Sequence, residues 1–509
     1  MKDYFTYEEK SPLLKQTLAL MAKVKDIEGA SSLLAWDQET YMPPGGLEAR
    51  SNQTAALDVI SHSYLISDEA KSISEKIRNF SGYSNDFQDS MFRLYLREYD
   101  KAVKLPENFV LEYSRAKTIA IESWKKAYKE SDFRIYEKDL SKVIELKIQE
   151  AEYLGYENNR YDALIDLYEP GITVQKLIPI FDKLKNKSID ILNKLKEDEK
   201  LDTINDAFLK KSYPSEGQLK FSKLVADKMT FDFFNGRLDL SMHPFTTSFS
   251  TKDVRITTRL SDNELRSNIF STIHELGHGL YEQGIEQELN RTFAADGASY
   301  GMHESQSLIW ENIIARTHEF WTWGITHLRQ IYPGSFNNIY SIDLYNAVNV
   351  VRPSLIRIEA DELTYNLHII IRFEIENLLI NKKIKPYEIP DYWRNKYREY
   401  LGVIPPNDTF GCLQDIHWSH GSFGYFPSYT LGKLYAAMLW AKMNQEIPNL
   451  HHEISIGNFG VIRNWLKLKI HRFGKLETPE DLIMDVTGSV LNEEPFINYI
   501  TKKIQDIYY

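Results

Sequence analysis

The chain has 509 residues, 43% of them hydrophobic and 26% charged, which excludes wholesale disorder and supplies ample material for a buried core. Its 61 Lys and Arg against 72 Asp and Glu leave a formal charge of −11, so neither nucleic acid nor an anionic membrane, which need a basic footprint, is expected as a partner. The single cysteine, Cys412, rules out an intrachain disulfide and a thiolate metal cluster, and fits a reducing, cytoplasmic setting.

The opening segment, MKDYFTYEEKSP, is acidic and aromatic, without the basic-then-apolar order of a signal peptide. Leu13, Leu14, Thr17, Leu20, Met21 and Val24 recur at spacings of three and four and predict an amphipathic helix. A similar stripe runs through Leu177, Ile180, Phe181 and Leu184, and resumes at Ile191, Leu192 and Leu195. The charge-dense stretch 183–200 around it reads as a solvated helix face. Residues 245–259 (FTTSFSTKDVRITTR) are rich in Thr, Phe and β-branched types and predict a hairpin or short edge sheet. Ser261 with Glu264 has the form of a capping box, Gly284 is placed to end the helix, and Ile269, Ile273, Leu276 and Leu280 form its apolar stripe. Apolar runs such as 368–371 meet charge, here Arg372, well short of the ~18 residues that span a bilayer. The breaks at 43–46, 333–334 and 405–407 are short, with helical pattern on both sides. The expected architecture is one large, mainly α domain over residues 1–509.

Nine of the 13 histidines lie between His243 and His420. Within that region His274-Glu275-Leu276-Gly277-His278 is an H-E-x-x-H motif. On a helix, residues four apart are rotated by about 40° and separated by about 6 Å, so both imidazoles can converge on one metal. Glu275, one step round, can then reach the attacking water as a base. Gly277 and Gly279 keep the helix surface thin, where another segment can approach.

Such a site needs a third protein ligand. Asp296, His303, Glu304, Glu311, His318 and Glu319 are available downstream, and Glu304 is favoured because residues 303–307 open a second strongly helical run. His303 competes, as ligand or as hydrogen-bonding partner. Two imidazoles with a carboxylate and no thiolate suit Zn²⁺ and admit Co²⁺ or Mn²⁺.

Beyond this motif the sequence resembles the carboxypeptidase Taq family of thermostable zinc metallocarboxypeptidases over nearly its whole length. The resemblance is carried by residues 34–50 (LAWDQETYMPPGGLEAR), Asp253-Val254-Arg255-Ile256-Thr257, the H-E-x-x-H helix and His303-Glu304-Ser305-Gln306. Residues 355–365 (LIRIEADELTY), 411–418 (GCLQDIHW) and Gly424-Tyr425-Phe426-Pro427 continue it, as do Thr487-Gly488 and residues 496–499 near the end.

The resemblance implies an almost entirely helical, neurolysin-like fold with a deep groove, and usually a homodimer. It implies one zinc held by His274, His278 and Glu304, with Glu275 as catalytic base. The implied reaction releases single residues from peptide C-termini with broad specificity and poor cleavage at proline. Tyr425 is then the favoured donor to the developing oxyanion, with His417 or His243 in support. For the substrate's free carboxylate an arginine is the natural device, Arg357 first, then Arg352. Arg372 is also available, and Arg255 serves either the substrate or a structural pairing with Asp253. Asp415, Asp361 and Glu362 are open as outer partners of the metal-binding histidines. Trp36, Asp37 and Trp418 are expected to pack, and Cys412 to be an inert buried residue.

Two alternatives compete. One is an oligopeptidase that cleaves internally. The other is a helical binding protein whose metal is a structural clamp, which would have no use for the base Glu275.

Overall fold

The predicted apolar stripes become helices. In the computed structural model, which describes residues 4–5, 11–82 and 85–509, the stripe at the start of the chain forms the helix Pro12–Thr40. Most of the acidic opening segment lies outside the described residues. The Ser11 hydroxyl accepts from the Leu14 amide at 3.2 Å, Pro12 occupies the first turn, and Leu14, Leu20, Met21 and Val24 are buried. The Pro-Pro-Gly-Gly break forms a 3₁₀ turn, Pro44–Gly46, that leads into the helix Leu47–Leu65.

The described chain is mainly helical with one three-stranded sheet, and falls into two compact units. The first comprises the described residues up to 103 with 206–348 and 435–491; the second comprises 104–205, 349–434 and 492–509. Among the described residues no helix is long and apolar enough to cross a membrane.

The first unit holds the sheet, in the order β1 (Gly236–Leu240), β3 (Asp253–Thr258), β2 (Thr246–Ser250). Strands β2 and β3 form the expected hairpin, with Thr246 opposite Ile256. Strand β1 pairs parallel to β3, Gly236 opposite Val254, and its sequence gave no warning. Its one buried side chain is Asp239, satisfied by Arg237 and Tyr41, so no apolar alternation marks it.

The H-E-x-x-H helix spans Leu265–Gly284 and buries Ile269, Ile273, Leu276 and Leu280 as expected. Its start differs from the expected capping box. Ser261 bonds to the Gln218 side chain and Asp262 to Ser215, so this stretch is tied to the helix Ser215–Lys228 instead of being wound. Glu264 caps the helix, accepting from the Arg266 amide at 3.2 Å. The second run is helical over Tyr300–Leu308, capped by Ser299, then loosens into a π turn (Ile309–Ile313) and a 3₁₀ turn (Ile314–Arg316). Thr317 caps a separate helix, His318–Ile331.

The second unit contains the helical hairpin Glu107–Glu130 and Arg134–Leu154, and the helix Val174–Glu197, capped by Thr173. In the latter Leu177, Phe181, Leu184, Leu192 and Leu195 are buried while most of the lysines around them face solvent. Truncating one such leucine to alanine costs about 2–5 kcal/mol. The helix Tyr365–Ile380 is buried along most of its length, including Arg372 and Glu376. An irregular segment, 401–425, carries the GCLQDIHW and GYFP motifs to the start of the helix Phe426–Glu446.

Candidate metal centre

Helical geometry brings His274 and His278 together within the first unit, their rings 4.8 Å apart. Glu304 reaches them from the helix Tyr300–Leu308. Its Oε2 lies 3.9 Å from His274 Nε2 and 3.6 Å from His278 Nε2, and the three ligand atoms all fall within 4.8 Å of one another. Those separations are too long for hydrogen bonds. They are close to the roughly 3.3 Å edge of a tetrahedron around an ion with 2.0–2.1 Å bonds. Two imidazole nitrogens and one carboxylate oxygen therefore fit a small divalent cation.

The close approach depends on Gly277. A Cβ there would stand 2.5 Å from the Gln306 carbonyl oxygen and 2.6 Å from Ser307 Cα. Gly279 likewise faces Phe231 and Ile256, which confirms that both glycines thin the helix for neighbours.

Both imidazoles are oriented from behind. His274 Nδ1 donates to Glu311 Oε2 at 2.8 Å. His278 Nδ1 meets His303 Nδ1 at 2.6 Å, while His303 Nε2 donates to Glu282 Oε1 at 2.8 Å and Ser248 Oγ donates to Glu282 Oε2 at 2.6 Å. Burial opposes a charge on His303, but Glu282 and Asp296 push its ring up. In its neutral form, with the Nε2 proton donated to Glu282, it accepts at Nδ1 from His278, whose Nε2 lone pair then faces Glu304. Asp361, Glu362 and Asp415 do not fill this outer role. Asp361 caps its own turn through the Leu363 and Thr364 amides, Glu362 pairs with Lys503, and Asp415 is held by two arginines.

The other offered ligands are likewise engaged. Asp296 binds Lys475 at 2.6 Å, His318 bonds Ser341, and Glu319 bonds His451. Glu282, Asp296 and His303 also stand within 4.8 Å of one another, but each already has a hydrogen-bonding partner.

Glu275 is buried, and the Thr246 hydroxyl on β2 lies 2.7 Å from its Oε2. Burial pushes its carboxyl up from the ordinary value, the direction a general base working near neutral pH requires. Burial opposes protonation of His274, yet the carboxylates of Glu304 and Glu311 outweigh it and push the ring up to about 10. Burial and the neighbouring rings of His303 and His274 hold His278 well below its usual range.

The remaining residues of interest occupy other settings. Arg255, in the first unit, grips Asp253 through two 2.9 Å bonds and lies 4.3 Å over the Trp36 ring. His243 is exposed in the turn after β1. In the second unit Arg357 is buried, with Nε and Nη2 on Asp415 Oδ1 and Nη1 donating to Tyr365 Oη at 2.9 Å. Arg372 grips the other oxygen of Asp415, at 2.7 Å through Nε. Burial alone would raise the Asp415 carboxyl, but Arg372 and Arg357 hold it far below the usual carboxylate range.

Arg352 reaches Asp202 at 3.1 Å. Burial pushes the His417 ring down to about 3, so it is neutral, and its Nε2 lies 3.3 Å from Tyr429 Oη. Tyr425 packs edge-on against Tyr168 and Tyr429. Cys412 is buried as expected, and burial pushes its thiol up, away from nucleophilic form.

Sequence reasoning did not assign Thr246, Glu282 or Tyr429. Glu282 had a usable signal, standing one helical turn beyond His278, and Tyr429 stands one turn beyond Tyr425. Thr246 had none, because its contact with Glu275 is made between a strand and a helix 29 residues apart.

The profile of the carboxypeptidase Taq (M32) metallopeptidases matches residues 16–504. Carboxypeptidase 1 of Bacillus subtilis is 38% identical over 97% of this chain and 98% of its own. Thermostable carboxypeptidase 1 of Pyrococcus furiosus is 37% identical over 96% of this chain and 98% of its own. Among solved structures, the carboxypeptidase of Pyrococcus furiosus superposes with a TM-score of 0.94 at 37% identity, covering 97% of this chain and 99% of that one. The M32 carboxypeptidase of Deinococcus radiodurans gives 0.94 at 32% identity, covering 98% and 100%.

Proposed function

The chain belongs to the carboxypeptidase Taq (M32) metallopeptidase family and is a metallocarboxypeptidase, and from that premise we propose that it is a zinc enzyme removing single C-terminal residues from peptides. The convergence of His274 Nε2, His278 Nε2 and Glu304 Oε2 beside the buried carboxyl of Glu275 carries this reading. His274, His278 and Glu304 would hold the ion, one per chain. Zinc bound there would acidify the attacking water and polarise the scissile carbonyl, and Co²⁺ or Mn²⁺ could replace it.

Glu275 takes the proton from the attacking water and returns it to the leaving amine. Its desolvated carboxyl favours uptake, and Thr246 fixes the oxygen that does not receive the proton. Tyr425 is the donor to the developing oxyanion, with His417 or His243 in support. These roles, like the choice among Arg357, Arg352 and Arg255 for the substrate carboxylate, rest on the matching motifs. Arg357 would have to exchange a bond to Asp415 or Tyr365 for the substrate. Broad specificity with poor cleavage at proline, a single catalytic domain, a cytoplasmic location and a homodimer complete the proposal.

Mass spectrometry of a peptide ladder tests it, with free and amidated C-termini and with and without chelator. Stepwise loss of single residues from free C-termini only, abolished by chelator and restored by zinc, is expected. Equal cleavage of the amidated peptide would make the enzyme an internal oligopeptidase instead.

A further inference from the structure

Glu376 lies within the apolar sequence of the helix Tyr365–Ile380 and is fully buried. A carboxylate in such a place costs several kcal/mol unless donors surround it. Three do, from two parts of the second unit. Tyr161 Oη and the Gly424 amide donate to Oε2 at 2.5 and 2.8 Å, and Trp418 Nε1 donates to Oε1 at 2.7 Å.

Two of these donors bracket one short irregular stretch, 418–424, so a single carboxylate pins both of its ends. The stretch is also held in the middle, where the Tyr113 hydroxyl donates to the Gly421 carbonyl at 3.2 Å. At 424 only glycine fits. The backbone is left-handed there (φ 93°), and a Cβ would stand 2.4 Å from the Leu164 carbonyl oxygen. Tyr425 follows immediately.

We infer that Glu376 is a positioning residue for turnover, fixing the Gly424 amide and thereby the backbone from which Tyr425 projects. The inference rests on the reading of Tyr425 as oxyanion donor. Burial pushes the Glu376 carboxyl up to about 7, consistent with a group kept in place at electrostatic expense. A carboxylate is the side chain that suits three donors, because both of its oxygens accept. Glutamine has one accepting oxygen, so its amide group must face the Trp418 indole or the Gly424 amide, donor against donor.

The test is a cycle of Glu376→Gln, Tyr425→Phe and the double variant, read by kcat and KM separately, with hydrogen exchange of the peptide containing Gly424. Glu376→Gln is expected to lower kcat about 10-fold to 100-fold with KM within about threefold, the scale of a small misplacement of a reacting group. It should also speed exchange at Gly424, and add no loss of kcat in the Tyr425→Phe background. Should Glu376→Gln not fold, Glu376→Asp keeps the charge while retracting it by one methylene, and the same pattern is expected at smaller amplitude. Wild-type kcat in the Glu376 variant, or equal losses in both backgrounds, would overturn the positioning role while leaving the donor reading intact. A Tyr425→Phe enzyme of full kcat would remove the donor reading, and this inference with it.

Discussion

The imidazole pair at 274 and 278 and the arginine pair at 357 and 372 are both clusters of charge-bearing side chains, and they are built on opposite plans. In the first, Nε2 of each ring and the Glu304 oxygen point at a common centre yet stand 3.6–3.9 Å apart, too far to satisfy one another. In the second, both guanidiniums close on Asp415 at 2.7–3.1 Å. Donors at that spacing match what a small divalent cation requires. Groups that bond among themselves set a geometry for their neighbours. Glu275 lies beside the first plan, with the Thr246 hydroxyl on its Oε2.

The largest effect expected from this contrast is at Glu275. Glu275→Gln should retain metal, checked by metal analysis, and lose about 10³–10⁴ in kcat. Full turnover would move Glu275 from the first plan to the second. Next is Asp415→Ala, which strands two buried guanidiniums and should lower stability by about 3–5 kcal/mol, read from the urea midpoint. A change within 1 kcal/mol would mean that the arginine cluster is not closed in solution.

His303→Phe removes the hydrogen-bonding partner behind His278 while keeping a ring in place. It should weaken zinc binding about 10-fold to 100-fold in chelator competition. The Co²⁺ spectrum should keep its band pattern, because no ligand is lost. A changed coordination number would make His303 a ligand after all.

The smallest effect is a pH profile. The folded Asp415 carboxyl titrates below its unfolded counterpart, so its stabilisation is full above the ordinary carboxylate value of about 4 and is lost as pH falls through the folded one. The stability difference between wild type and Asp415→Asn should therefore be flat from pH 5 to 8 and narrow only in acid. Narrowing near neutrality would assign the linkage to a different group.

The two plans were unequally legible in the sequence. A helix converts a spacing of four into a shared face, so His274, Glu275 and His278 could be placed from their order alone. Their outer partners could not. Glu311 stands on a π turn inside a run that looked uniformly helical, and His303 could have been ligand or support until Glu282 was seen to claim its far nitrogen. The arginine cluster is joined across 43–58 residues of chain, and in the sequence Asp415 was as plausible behind a metal-binding histidine as between two guanidiniums. Strand β1 hid for a similar reason, since its buried residue is a paired aspartate where a strand normally offers an apolar side chain.

The missing side chain at Gly277 sets a tolerance. The backbone of residues 306–307 rests where a methyl group would stand, so the gap between the two helices is at its mechanical minimum, and the Glu304 oxygen follows that gap. Gly277→Ala would force the two segments apart by a few tenths of an ångström and spread the three donors. The spacing of the three donors thus depends on an atom the chain omits.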